Sequence, residues 1–387
     1  MSPNELLVPF ALPDIGAEEE AQVLDTLRSG WLTTGPKTAR FEQAFAEFLG
    51  EAGLHVLAVN SATAGLHLAL DALGIGPGDE VITTTHTFTA TAEVIRYMGA
   101  QPVLVDIDRE TLCIDPARVA ERITPRTRAI IAVHFGGRSA DMESLLALAR
   151  PHGIHVVEDA AHALPATHGG RLVGTLDSSA TVFSFYANKT MTTGEGGMLV
   201  LRDAAHARRA RAMRLHGIDR DAFARFRSSV PAWRYDVVAP GFKYNLTDIA
   251  AAIGLAQLPK LHRMQQRRAA IAQHYREALA GLALVLPPLP APGDVHAWHL
   301  FPIGVLGMAR DAFVQAMFAE GIGMSVHYVP LHQMTYWRQF CALQAADFPV
   351  SQSVYERTAS LPIYSRMDDA AVQRVVAAVR RVLAAPA

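Results

Sequence analysis

The chain has 387 residues, 35 Lys and Arg against 37 Asp and Glu, and a net charge of −2; half of its residues are apolar. That length suits one large domain and a smaller one, with ample material for a core. The balanced charge leaves no basic stripe for nucleic acid and no polybasic patch for a membrane surface. No apolar run is long enough to span a bilayer. The stretch Met1 to Pro9 lacks the charged-then-apolar order of an export signal. The two cysteines, Cys113 and Cys341, are far apart and form no CxxC pair. Such spacing points to a reducing, cytoplasmic setting and away from a disulfide framework or a zinc-thiolate site.

Taken in chain order, two helical patterns open the sequence at residues 17–29 and 38–49, separated by a loop, Gly30 to Pro36. Short apolar runs then predict strands at 55–59, 80–83, 102–105, 129–133, 155–158, 180–185 and 198–201. Helical stretches at 62–73, 90–98, 116–122 and 141–150 lie between most of them. Strands alternating with helices imply βαβ units, and so an α/β fold with a mostly parallel, seven-stranded sheet sandwiched by helices. Ligands of such sheets bind beyond the carboxyl ends of the strands. Residues 202–233 read as a helix followed by a mobile excursion, and 247–279 as a long helix interrupted at Pro259. After a Pro-rich connector at 286–293, residues 299–305, 310–320, 325–328 and 370–384 predict a small α+β domain. The division is expected at 1–255 and 256–387.

One stretch carries the most chemistry: Ser184-Phe-Tyr-Ala-Asn-Lys189, followed by Gly194-Glu-Gly-Gly197. It puts a lysine on the loop between two strands. Such a lysine is either a solvated surface charge or, if buried, a neutral amine reactive toward carbonyls, as a Schiff-base lysine must be. Several strand ends offer it company. Ser61, Ala62 and Thr63 open a helix after the first strand, which makes either an ordinary N-cap or an anion site. Ser184 reads as a phosphate donor or a hydroxyl bonded to its own backbone. Phe88 reads as core or as a ring that stacks on a cofactor. Asp159 reads as a helix cap or as the partner of a pyridine nitrogen. His162, three residues on, shares its face if a helical turn follows, and would then support Asp159 or bond a cofactor oxygen. No Gly-x-Gly-x-x-Gly follows the first strand and no Walker motif is present. His296 with His299, and His327 with His332, lack a third ligand, so no metal is assigned.

The chain resembles the DegT/StrS-type nucleotide-sugar aminotransferases, which are pyridoxal-phosphate (PLP) enzymes of fold type I. The likeness runs nearly end to end, through Ser29–Pro36, Ser61–His67, Gly76–Ile82, Glu158–His162, Phe183–Lys189, Gly194–Gly197, Tyr244–Ile249 and Leu361–Tyr364. It implies that Lys189 bonds the cofactor covalently and later carries a proton between cofactor and substrate. It further implies that Asp159 pairs with the pyridine nitrogen, Phe88 stacks on the ring and His162 lies near the ring oxygen or Asp159. Ala62, Thr63 and Ser184 would hold the phosphate, and Asn245 would reach into the phosphate site of a second subunit, making a homodimer with shared sites. Glutamate is the implied amino donor and a nucleotide-linked keto-sugar the acceptor. Within the family, residues 243–249, 295–301 and 321–327 resemble the enzymes that make UDP-4-amino-4-deoxy-L-arabinose for lipid A. Phe88 stands where those enzymes carry Trp. For the sugar wall the sequence offers Trp31, His327, Tyr328 and His332. Sugar dehydratases on the same scaffold carry His where Lys189 stands, so the lysine separates the two activities. A non-catalytic, PLP-binding regulator is the reading from another class.

Overall fold

A computed structural model describes residues 8–219 and 235–384. In chain order its strands are β1 (His55–Val59), β2 (Glu80–Thr84), β3 (Gln101–Val105), β4 (Thr127–Val133), β5 (His155–Asp159), β6 (Thr167–His168), β7 (Arg171–Leu172), β8 (Ala180–Ser184), β9 (Gly197–Leu201), β10 (Leu284–Val285), β11 (Phe301–Val305) and β12 (Thr358–Leu361). Seven of them form the central sheet in the order β1-β9-β8-β5-β4-β2-β3. The β5–β8, β4–β5, β2–β4 and β2–β3 pairs are parallel, while β9 runs antiparallel to both of its neighbours. This is the mostly parallel sheet that the alternation of patterns predicts.

Strand period explains why both faces are covered. Along β1, Leu57 and Val59 join one apolar cluster with the helix Ala62–Ala72, while Val56 and Ala58 join another with Phe41, Phe45 and Phe183. A sheet buried on both faces needs near-continuous apolar strands, and β8 reads Ala-Thr-Val-Phe-Ser with every residue buried. The helices start where a short polar side chain can take a free N–H. Ser61, Asp115, Asp141, Asp203 and Thr247 each accept a backbone N–H of the turn that follows.

The expected long helix after Thr247 is Asp248–Gln257, a single 3-10 turn Leu258–Lys260 containing Pro259, then Leu261–Ala278. The chain passes along it to a three-stranded antiparallel sheet, β10-β11-β12, which packs on the helices Leu261–Ala278, Arg310–Ala319 and Asp369–Ala384 through Phe301, Ile303, Leu361, Phe313, Val375 and Val379. Of the segment 202–233, the helix Ala204–Met213 is present, and the excursion expected after it falls largely on residues 220–234, outside the described residues. The element expected at 325–328 is not a strand. Ser325 makes one isolated bridge to Ser360, and the chain then turns away from that sheet, placing His327 and Tyr328 in the cavity described below. Among the described residues no helix is long and apolar enough to cross a membrane.

Candidate active site

Parallel pairing brings the carboxyl ends of β2, β4, β5 and β8 to one edge of the sheet, and β1 joins them because it and β8 both run antiparallel to the β9 between them; register sets them side by side. Val133 pairs with Asp159 and Asp159 with Val182; Ser184 and Val59 both pair with Gly197. A cavity of about 440 Å³ opens at this edge. Ala62, Thr63, Phe88, Asp159, His162, Ser184, Lys189, His327 and Tyr328 all line it. The residues from 62 to 189 meet because five strand ends do, and the turn after Ser325 adds His327 and Tyr328 from the small sheet's side.

Lys189 sits at the floor. The loop that carries it is pinned at both ends: Phe185 N–H donates to Gly196 O, Thr193 N–H to Phe185 O, and Lys189 N–H to Tyr186 O, each at 2.9 Å. The residue is half-buried, and its amine lies inside the cavity with His299 Nε2 at 3.5 Å. Burial lowers its pKa to about 8, partly opposed by the charge of Asp159. Asp159 is buried, and desolvation raises its pKa despite hydrogen bonds from Thr91 Oγ1 (2.7 Å) and the Ala161 N–H (3.2 Å). A buried carboxylate with so few donors is suited to a further positive partner. Burial and the nearby Lys189 hold His162 and His299 well below the usual histidine range, and His327 at about 3. The site thus contains neutral imidazoles around one amine and the buried Asp159 carboxyl group, with the exposed Glu195 at its wall.

The opposite end of the cavity is built for an anion. The helix Ala62–Ala72 points its N-terminus there; Ser61 Oγ takes the Ala64 N–H, and Ala62 and Thr63 line the wall. First-turn N–H groups have no intrahelical acceptor and attract negative charge. Gly197 keeps the approach open, because a Cβ there would lie 2.9 Å from Ala62 N and 2.8 Å from Phe183 O. Between the two ends, Phe88 is 57% exposed, leaving a flat ring face free. Asn188 Oδ1 is buried at the wall with no hydrogen-bond partner among the described residues.

Several expectations change. No helix follows β5, so Asp159 is not a helix cap, and His162 does not bond it. A turn carries His162 round to accept the Gly136 N–H at Nδ1 (3.2 Å) and to meet Tyr328 Oη at Nε2 (2.9 Å). His332 lies outside the cavity. Its ring is tied to Thr85 Oγ1 (3.0 Å) and Gln352 Oε1 (2.9 Å) and stacks on Phe348, away from the cavity. Trp31 is also outside; its Nε1–H donates to Thr34 O. Asn245 lines a separate cleft with Thr34 and four arginines, Arg208, Arg209, Arg211 and Arg214. Sequence reasoning missed Thr91, Asn188, Glu195 and the role of His299 beside Lys189. Among the described residues no group of three His, Cys, Asp or Glu side chains is placed to hold a metal.

An anion end, a free ring face, a buried carboxylate and an amine in one cavity are the parts that pyridoxal phosphate requires, and the orphaned Asn188 oxygen leaves a polar contact to spare. The fold and site define a PLP-dependent aminotransferase acting on a sugar. The DegT/DnrJ/EryC1/StrS aminotransferase family model matches residues 13–380, and the chain belongs to that family. It is 46% identical to the spore coat polysaccharide biosynthesis protein SpsC of Bacillus subtilis strain 168, over 97% of each chain. Spr1654 of Streptococcus pneumoniae in its pyridoxamine-phosphate form superposes with a TM-score of 0.90, at 32% identity over 97% of this chain and 98% of that one; it is also solved in a PLP form. Helicobacter pylori PseC, an aminotransferase involved in the biosynthesis of pseudoaminic acid, gives a TM-score of 0.89 at 29% identity over 98% and 99%.

Proposed function

We propose that the protein transfers the amino group of glutamate to the keto carbon, at C4, of a nucleotide-linked sugar destined for a surface polysaccharide. The observation that carries the reading is the Lys189 amine sharing one cavity with Asp159 and the N-terminus of the helix Ala62–Ala72. The names of SpsC and PseC support a surface-sugar product. UDP-4-keto-L-arabinose for lipid A is the narrower form of this reading. Two of the three segments behind it reach the site, through His299 and His327.

When bound, PLP supplies a ring that takes up the electron pair left when the donor's α-proton departs. Ala62, Thr63 and Ser184 would hold the phosphate, Phe88 would cover the ring face and Asp159 would keep the ring nitrogen protonated. Lys189 would remove the donor's α-proton as a neutral amine. It would return a proton to the sugar carbon in the second half. A positioned base of this kind contributes about 10²–10⁴-fold. The buried, neutral His162, His299 and His327 place no competing cation beside it. We further propose a homodimer. Asn245 lies outside the Lys189 cavity of its own chain, held by Thr34 Oγ1 and Lys243 Nζ. From there it reaches the phosphate end of the cavity in a second copy.

The test is release of 2-oxoglutarate from glutamate by the purified protein with PLP, against UDP-, dTDP- and GDP-linked 3-keto and 4-keto sugars. Turnover is expected with a UDP-linked 4-keto sugar. Inactivity on every 4-keto substrate overturns the assignment.

A further inference from the structure

A backbone amide can only donate, and this fixes the polarity of a hydrogen-bond chain that ends in the cavity. Gly136 N–H points at His162 Nδ1 at 3.2 Å. Gly136 belongs to a strap, Phe135–Gly137, that has little freedom to turn away. Leu300 N–H donates to Gly136 O (3.0 Å) and Ala297 N–H to Gly137 O (2.9 Å). Gly137, at φ +105°, packs so tightly that a Cβ would lie 2.9 Å from Trp298 N. The Nδ1 of His162 is therefore an acceptor and carries no proton. A neutral imidazole must then carry its proton on Nε2, and burial keeps this ring neutral.

The Nε2–H faces Tyr328 Oη at 2.9 Å. The tyrosine oxygen is thus the acceptor in that bond, and its own hydrogen is left over. Among the described residues Tyr328 Oη has no other hydrogen-bond partner, and the side chain lines the Lys189 cavity. The ring is held by Phe88 (centroids 5.9 Å apart), Phe135 (6.4 Å) and His162 (6.1 Å), so the hydroxyl has a fixed station.

We propose that Tyr328 is an oriented hydroxyl donor to an oxygen of the keto substrate, at or beside the carbon that receives nitrogen, with its direction set by the chain Gly136 N–H, His162, Tyr328. The identity of the acceptor rests on the keto-sugar reading above. In this arrangement Tyr328 touches substrate, and His162 is a positioning residue that acts through Tyr328. His162 is then not the partner of Asp159, and both of its ring nitrogens are engaged before any ligand enters. A hydrogen bond of this kind selects for substrates with an acceptor oxygen at that point. Burial keeps the phenol protonated far above neutral pH, so it donates throughout the working range.

Two measurements test this. Neutron diffraction on deuterium-exchanged crystals of the PLP-loaded protein reads the polarity directly. A deuteron is expected on His162 Nε2, none on Nδ1, with the Tyr328 deuteron directed into the cavity. A deuteron on Nδ1, or a Tyr328 deuteron aimed at Nε2, overturns the inference. The second measurement separates the two half-reactions by cofactor absorbance in Tyr328→Phe, which keeps the ring packing. The keto-sugar half should slow roughly tenfold more than the glutamate half, the worth of one neutral hydrogen bond. Equal losses in both halves, or no loss in either, overturn it. Wild-type protein that turns over no keto-sugar would sink the proposed substrate class instead, and leave the deuteron positions to decide this inference alone.

Discussion

Glu158 and Asp159 are neighbours on β5, both buried, and their pKa values are displaced in opposite directions. Burial pushes both up. For Glu158 that push is outweighed by donors: His134 Nε2 (2.9 Å), Ser178 Oγ (2.5 Å) and Thr181 Oγ1 (2.7 Å). His134 Nδ1 accepts the Ala140 N–H at 3.0 Å, which puts its proton on the side facing Glu158. Asp159 has two donors and an open cavity, and burial wins. The strand's period of two explains the contrast. One carboxylate faces the packed interior and is saturated there. The other faces the cavity and is left short of partners, which is what a site must do to hold a cationic ring nitrogen.

If the cavity face carries the chemistry, the largest losses come from it. Lys189→Ala should lower turnover by at least about 10²–10⁴-fold, measured as 2-oxoglutarate release, while the variant still binds PLP by filtration or fluorescence. Near-normal turnover would break the comparison outright. Asp159→Asn should cost about 10²-fold, the scale of one preorganised electrostatic contact. Glu158→Gln should do the reverse. An amide cannot accept from both His134 and the two hydroxyls as the carboxylate does. Urea unfolding should show a loss of about 1–3 kcal/mol, with kcat of the folded protein little changed. A Glu158 variant that is stable but inactive would reverse the roles of the two faces.

The pH dependence sharpens the same contrast. With its pKa near 8, the Lys189 amine is neutral and nucleophilic above about pH 8, well below the range of an ordinary lysine. Covalent uptake of PLP by the apoprotein, followed by absorbance, should be half-maximal near pH 8. The uptake rate should fall about tenfold for each unit below that midpoint, as the amine protonates. Asp159 raises this pKa, so Asp159→Asn should move the midpoint down, while Glu158→Gln should leave it in place.

What could be read from the sequence follows from how each residue reaches the site. Lys189, Asp159, Ser184 and Thr63 sit at or just past strand ends, and strand ends show as a change of apolar period. The seven central strands were accordingly legible to within two residues. Thr91 bonds Asp159 from the first turn of Ala90–Tyr97, and no local pattern marks it. His299 meets Lys189 from 110 positions away, just before the central strand of the other sheet, which only tertiary packing decides. β12, Thr-Ala-Ser-Leu, is short and built of small residues, and the helices Thr335–Phe340 and Pro349–Tyr355 are too brief for a clear period. His162 misleads for a local reason: a turn replaces the helix that its spacing presumes.

His332 offers the smallest effect and a clean separation of wall from clamp. Its backbone N–H and ring Nδ1 both meet Thr85 Oγ1, and Leu331 N–H donates to Thr85 O at 2.9 Å. Thr85 directly follows β2, so this cluster fastens the segment after Tyr328 to the central sheet. His332→Ala removes the ring bonds to Thr85 and Gln352 and the stacking on Phe348. The loss should be about 1–2 kcal/mol of unfolding free energy. KM for the sugar substrate should stay within about twofold, since no atom of His332 lines the cavity. A tenfold rise in KM at unchanged stability would return His332 to the sugar wall. A fall in stability alone leaves it as the fastening that keeps Tyr328 at its station.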